Sequence, residues 1–304
     1  MAETVDQTHV YDLAMSYLQN GALTYYSTGF RLLDRALGGG VVPGSLYIIG
    51  ARPGHGKTSW ALSIARRMAF DGGKRVVFLS LEMTALELME RMVCQTSRKT
   101  SLAINDLRTT GTLQVCLTPF IALCKQSKFR VEDERGATMS DLGLMFDEMR
   151  RIDEPIPEIL FIDHLQHQLF TEGLSRAEAM ANYLSDLKAF AKRHQLVIIA
   201  CSQLNRDAAK EKSVKLHNLK SSGALEEVGD IVLLCRQPSL DQDTIPSIEE
   251  QAEPVEFEVL VAKNRRGPIS SFTLIFNKPI YDFDEPEGGW QPKRPVQEVV
   301  VVTD

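Results

Sequence analysis

Residues 46–58 read LYIIGARPGHGKT, and the fold is decided by this stretch. LYIIG (46–50) is an uninterrupted apolar run of the kind that forms a strand buried on both faces. The glycine-bearing ARPGHGKT (51–58) follows it, and a helical pattern begins near Lys57. Strand, glycine-rich loop and helix in that order are the setting a phosphate-binding loop requires. Its glycines let main-chain N–H groups wrap phosphate oxygens, and the helix N-terminus adds positive potential. On this reading Arg52, Pro53, Gly54, His55 and Gly56 form the cradle. Lys57 reaches the β- and γ-phosphates, and the Thr58 hydroxyl ligates Mg²⁺. The strict pattern begins with glycine where this chain has Ala51, with Gly50 displaced by one position. The competing reading is a chance GKT at a helix start.

Further along, short apolar runs alternate with helical patterns. RVVFLS (75–80) precedes an amphipathic stretch around Leu86, Met89 and Val93. ILFID (159–163) precedes a long helix over 176–194, and LVIIACS (196–202) and DIVLLC (230–235) follow. That alternation predicts an α/β fold, a mostly parallel sheet with helices on both faces. VEFEVLVAK (255–263) and SFTLIF (271–276) flank NRRGP and predict an antiparallel hairpin at the sheet edge. The expected body is one domain over residues 28–283. Residues 1–27 form a helix, with Val10, Ala14, Tyr17 and Leu18 at helical spacing, and a linker. Residues 239–254 read as a loop, and 284–304 as a flexible tail ending in the β-branched run VVVV (299–302), which suits an added edge strand or a partner-docking strand.

The composition is that of a soluble globular chain. It has 304 residues, 44% hydrophobic and 24% charged, with a net charge of −6, which argues against a strongly basic coat without excluding a local basic channel. No apolar run approaches the roughly 18 residues of a membrane helix, so no membrane partner is expected. The N-terminus MAETVDQTHV lacks the basic and apolar regions of a secretory signal. Five cysteines without a CxxC fit buried thiols in a reducing compartment, and a cytoplasmic location is expected.

Three further features carry chemistry. Asp163 ends an apolar strand and would hold Mg²⁺ through water. Glu82 ends the strand after the loop helix, and carboxyl ends of adjacent parallel strands converge on one crevice. A carboxylate there can polarise water for attack on the γ-phosphate, its alternative being a helix N-cap. Arg206, Lys210, Lys212, Lys215 and Lys220 crowd a stretch following the strand that carries Gln203. Without aromatic residues, they predict backbone tracking of single-stranded DNA with little sequence preference, against the plainer reading of a solvated loop.

Seven segments together resemble the DnaB-type replicative helicases: TGFRLLDRALGGG, ARPGHGKT, FLSLEM, FIDHLQ, CSQLNR, LKSSGALEEVGD and AKNRRGP, in that order from Thr28 to Phe283. The resemblance implies a RecA-like P-loop NTPase core, a hexameric ring, and ATP-driven 5′ to 3′ translocation on single-stranded DNA. It also implies Glu82 as catalytic base, Gln203 as γ-phosphate sensor, and Lys263 and Arg265 reaching the ATP of the neighbouring subunit. Ser222 and Gly223 of the LKSSG segment join the basic residues at the DNA.

The chain departs from that family in places. His164 stands where a tyrosine is usual, and His167 follows. Lys220 and Ser221 replace a common Arg-Glu pair. The family's primase-engaging N-terminal domain has no counterpart before the first helix, which leaves a helicase loader or primase as open partners. The two histidines lack a third metal ligand, and a packing or interface role is expected. Two competing classes share the P-loop core: a RecA- or KaiC-like ring ATPase that does not unwind, and a DNA-binding accessory protein that has lost turnover.

Overall fold

Continuous burial along the apolar runs, with successive residues facing opposite sides, builds the sheet. In the computed structural model, residues 24–133, 136–165, 175–204, 227–241 and 253–287 are described, with Met15 and Tyr17. Their strands are β1 (Leu46–Ala51), β2 (Arg75–Ser80), β3 (Lys128–Glu132), β4 (Ile159–Asp163), β5 (Val197–Gln203), β6 (Ile231–Arg236), β7 (Val255–Asn264), β8 (Ser270–Asn277) and β9 (Asp282–Asp284). They form one sheet in the order β3-β2-β4-β5-β1-β6-β7-β8-β9. Pairing is parallel from β3 to β6 and antiparallel from β6 to β9. A mostly parallel sheet with an antiparallel edge is therefore what these sequences form.

Helices cover both faces. They are α1 (Arg31–Ala36), α2 (Lys57–Phe70), α3 (Ala85–Ser97), α4 (Ser101–Thr109), α5 (Gln114–Gln126), α6 (Met139–Arg151) and α7 (Arg176–His194). Tyr47, Ile49, Phe78, Phe161 and Ile199 pack with α2 to α5 in one core. Their alternating neighbours Leu46, Ile48, Val77, Leu160 and Ile198 pack with α6 and α7 in the other. A one-residue slip of any central strand would exchange these two sets. Among the described residues, no helix is long and apolar enough to cross a membrane.

The antiparallel edge is fastened to the phosphate-loop helix. Trp60 of α2 is fully buried, with its ring centroid 5.5 Å from that of Phe257 on β7. Phe276 and Phe283 stack at 4.3 Å. Asp282 on β9, with its side chain only 3% exposed, accepts from Ser63 Oγ at 2.6 Å and pairs with Arg66 at 3.3 Å and Arg98 at 3.4 Å. The order continues past residue 283. Asp284 pairs with Ile275 across the sheet and with Arg98, and Glu285 accepts from the Leu32 amide at 2.6 Å. Apart from Met15 and Tyr17, the N-terminal helix lies outside the described residues, as do residues 242–252 of the loop and residues 299–302 of the tail.

Asp282→Ala should lower stability by about 3–5 kcal/mol, because it strands the desolvated Arg66, whose side chain is 11% exposed. Chemical denaturation measures this, and a loss below about 1 kcal/mol, the range of a surface pair, would show that the network does not hold the edge.

Candidate functional site

The parallel half of the sheet brings the carboxyl ends of β1, β5, β4 and β2 to one rim. Ala51 lies in register with Gln203, and Ser80 with Asp163. Ala51 is the last residue of β1 and is fully buried, so the position where the strict motif has glycine is a strand site that needs no unusual φ. The turn begins after it. Gly54 (φ +79°) and Gly56 (φ +86°) are left-handed, which only glycine adopts readily. At Gly56 a Cβ would also come within 3.0 Å of Phe276 Cε1. Gly56 caps α2 with no side-chain acceptor, which leaves the first N–H groups of the helix for a ligand. The His55 ring is buried, and its Nδ1 accepts from the Gln237 amide at 3.0 Å. That side chain holds the loop against the end of β6, so a ligand's contacts with His55 fall to its main chain.

Lys57 Nζ donates to Asp163 Oδ1, and Thr58 Oγ1 donates to Asp163 Oδ2 at 2.6 Å. Burial opposes the charge on Lys57, yet the Asp163 carboxylate, by its charge and its hydrogen bond, helps outweigh it and hold the ammonium's pKa above its usual value. Burial likewise pushes Asp163 up, and the Lys57 charge with hydrogen bonds from Lys57 and Thr58 more than reverses it, so its carboxyl titrates below the usual range. The pair is thus ionised at neutral pH. A hydroxyl and a carboxylate side by side form a hard oxygen set of the kind Mg²⁺ prefers.

Glu82 follows β2 by two residues, and its N-cap reading fails because Thr84 caps α3 in a capping box with Glu87. Its Oε2 lies 3.0 Å from Nδ1 of the buried His164. Arg52, Pro53, Gly54, Lys57, Thr58, Glu82 and Gln203 all line one cleft of about 910 Å³. The opposite wall, with Arg91, Gln237, Phe276, Lys278 and Tyr281, went unread in the sequence. The Arg91 guanidinium lies 4.9 Å over the Tyr281 ring, two residues separated by most of the chain with no motif joining them.

Lys263 and Arg265 are elsewhere. β7 runs antiparallel to β6, which places Asn264 opposite Ile231 at the amino end of β6. Lys263 Nζ and Arg265 Nη2 both donate to the Glu227 carbonyl, at 3.0 and 2.8 Å, and the Arg265 amide donates to the Asp230 carbonyl at 3.1 Å. They sit at the rim opposite the phosphate loop, about 20 Å away at six residues per strand.

Arg206, Lys210, Lys212, Lys215, Lys220, Ser222 and Gly223 lie outside the described residues, as does His167. Among the described residues no cluster of three or more His, Cys, Asp or Glu could hold a metal ion.

The DnaB-like helicase C terminal domain profile matches residues 26–285. The replicative DNA helicase DnaB of Leifsonia xyli subsp. xyli is 29% identical over 275 residues, covering 87% of this chain and 57% of that protein. The replicative DNA helicase DnaC of Bacillus subtilis is 29% identical over 271 residues, covering 86% and 56%. The chain therefore spans little more than half the length of these curated relatives. Among solved structures, the ATPase domain of G40P superimposes with a TM-score of 0.79 at 26% identity, over 93% of this chain and 100% of that one. A DnaB-like replicative helicase studied with its primase interactions gives 0.76 at 27% identity, over 93% and 68%. With the match running from before α1 to beyond β9, the chain belongs to the DnaB-like helicase C-terminal domain family.

Proposed function

We propose that this chain is the ATP-hydrolysing motor of a replicative DNA helicase, working as a ring, six-membered by analogy, that moves 5′ to 3′ on single-stranded DNA. The observation that carries the reading is the convergence of Lys57, Thr58, Glu82 and Gln203 on one cleft, with Asp163 bonded to Lys57 and Thr58 behind it. In this reading the amides around Gly54 and Gly56 seat the phosphates, and Lys57 leaves Asp163 for the β- and γ-phosphates. Thr58 and Asp163 would hold Mg²⁺, which supplies charge neutralisation on the phosphates. Glu82 accepts a proton from the attacking water, and Gln203 reads the presence of the γ-phosphate from the adjoining strand end. Lys263 and Arg265, a sheet's height from their own phosphate loop, act on the nucleotide of the next subunit. The basic residues from Arg206 to Lys220, with Ser222 and Gly223, contact the DNA backbone. Primase is a partner class suggested by the relative studied with primase, and a helicase loader is a second class that the family resemblance leaves open. The cytoplasm is the compartment that fits such work.

Unwinding of a forked duplex with ATP tests the whole reading, and a ring that hydrolyses ATP without separating strands would favour a non-unwinding ATPase. Glu82→Gln should keep nucleotide binding while turnover falls about 10²–10⁴-fold, whereas Lys57→Ala should lose both. Normal steady-state hydrolysis by Glu82→Gln would remove Glu82 from catalysis.

Arg265→Ala should reduce hydrolysis roughly 10³–10⁵-fold. Mixing Arg265→Ala subunits with Lys57→Ala subunits should restore part of it, because some interfaces then pair an intact loop with an intact arginine. No recovery in demonstrably mixed rings would count against action across the interface.

Single-strand affinity should fall with salt. A Lys215→Ala, Lys220→Ala double variant should flatten the slope of log affinity against log salt by about 0.7 for each phosphate that the protein no longer neutralises. An unchanged slope and affinity would remove these lysines from the DNA.

A further inference from the structure

The contact between Glu82 and His164 belongs neither to the phosphate cradle nor to the Mg²⁺ ligands. Glu82 sits just past β2 with its side chain 49% exposed. A glutamate so placed has several rotatable bonds, and left alone its carboxylate samples many positions. Two restraints oppose that. In the main chain, the Leu81 amide donates to the Asp163 carbonyl at 2.7 Å, and Ser80 Oγ closes the turn by donating to the Met83 carbonyl at 2.6 Å. In the side chain, His164 follows Asp163 at the end of the neighbouring strand, is 2% exposed, and brings Nδ1 to 3.0 Å from Glu82 Oε2, a close contact that a rotation of the half-exposed carboxylate would align as a hydrogen bond. A ring buried on a strand end has little freedom of its own, so it offers a fixed point to that carboxylate.

We infer that His164 is a positioning residue: its Nδ1 holds Glu82 Oε2, which leaves the other carboxylate oxygen aimed at the attacking water. The inference rests on Glu82 being the base that activates that water. Binding of the nucleotide is left to the phosphate loop, so His164 should govern turnover and not affinity.

The test is steady-state ATP hydrolysis by the full chain with single-stranded DNA, alongside direct binding of a fluorescent ATP analogue. Asparagine carries its amide nitrogen as many bonds from the backbone as histidine carries Nδ1, whereas glutamine places it one bond further. His164→Phe should lower kcat about 10–100-fold with KM and analogue affinity changed by less than about twofold. His164→Asn should recover most of that activity and His164→Gln little of it. In a Glu82→Gln background, His164→Phe should cost nothing more, since both act on one step.

Equal activity of the Asn and Gln variants, a KM that rises as kcat falls, or an additive effect in the double variant would overturn the positioning role. The Asn–Gln comparison decides alone if the Phe variant does not fold. Wild-type turnover by the single Glu82→Gln variant overturns the base assignment and this inference with it, whereas impaired turnover there combined with additivity overturns the inference only.

Discussion

The buried ion pair between Lys57 and Asp163 is the constraint on which the rest of the site depends. Two charges removed from water cost several kcal/mol each unless geometry and further hydrogen bonds compensate them. Here the compensation is the Thr58 hydroxyl and the mutual contact. The pair also crosses a strand. β5 lies between β1 and β4, so the lysine that follows β1 through the loop meets Asp163 across the end of β5. It does so over Cys201, whose thiol burial keeps protonated well above its ordinary range. Cys201, the β5 residue on the α2 face at this point, is small enough to leave room for that crossing. On the proposed reading, a phosphate arriving in the loop would supply an alternative partner for an ammonium already desolvated, so binding would exchange one buried contact for another.

Much of this was legible in the sequence, for identifiable reasons. The central strands are buried on both faces and announce themselves as apolar runs, and the phosphate loop is a local motif whose geometry depends on Gly54 and Gly56. Asp163 was found because a single acid ends such a run. What escaped notice lacks those signals. β3 reads KFRVE, an edge strand half covered and charged, and β9 is three residues long. α5 carries Pro119 inside it, a residue that argues against a helix in any sequence pattern. Arg91 and Tyr281 meet only because β9 returns to α3, and Glu82 meets His164 only because β2 and β4 are neighbours. Contacts of that kind have no sequence spacing to read.

Sheet direction separates the two halves of the proposed cycle. Parallel strands deliver Lys57, Glu82, Asp163 and Gln203 to one rim, and the reversal at β7 delivers Lys263 and Arg265 to the other. No side chain spans the roughly 20 Å between the rims, so a nucleotide touched by both must lie between two copies of the chain. The segment from 205 to 226 joins the same two rims. It leaves β5 just after Gln203, beside the phosphate loop, and returns at Glu227, whose carbonyl holds both Lys263 and Arg265. Its two ends, at Gln203 and Glu227, therefore lie at opposite rims, one beside the phosphate loop and one beside Lys263 and Arg265. Asp230 stiffens the second of them, accepting from the Leu46 amide at 3.0 Å and from Lys188 at 2.5 Å. That end is thereby tied to β1 itself, the strand from which the phosphate loop springs.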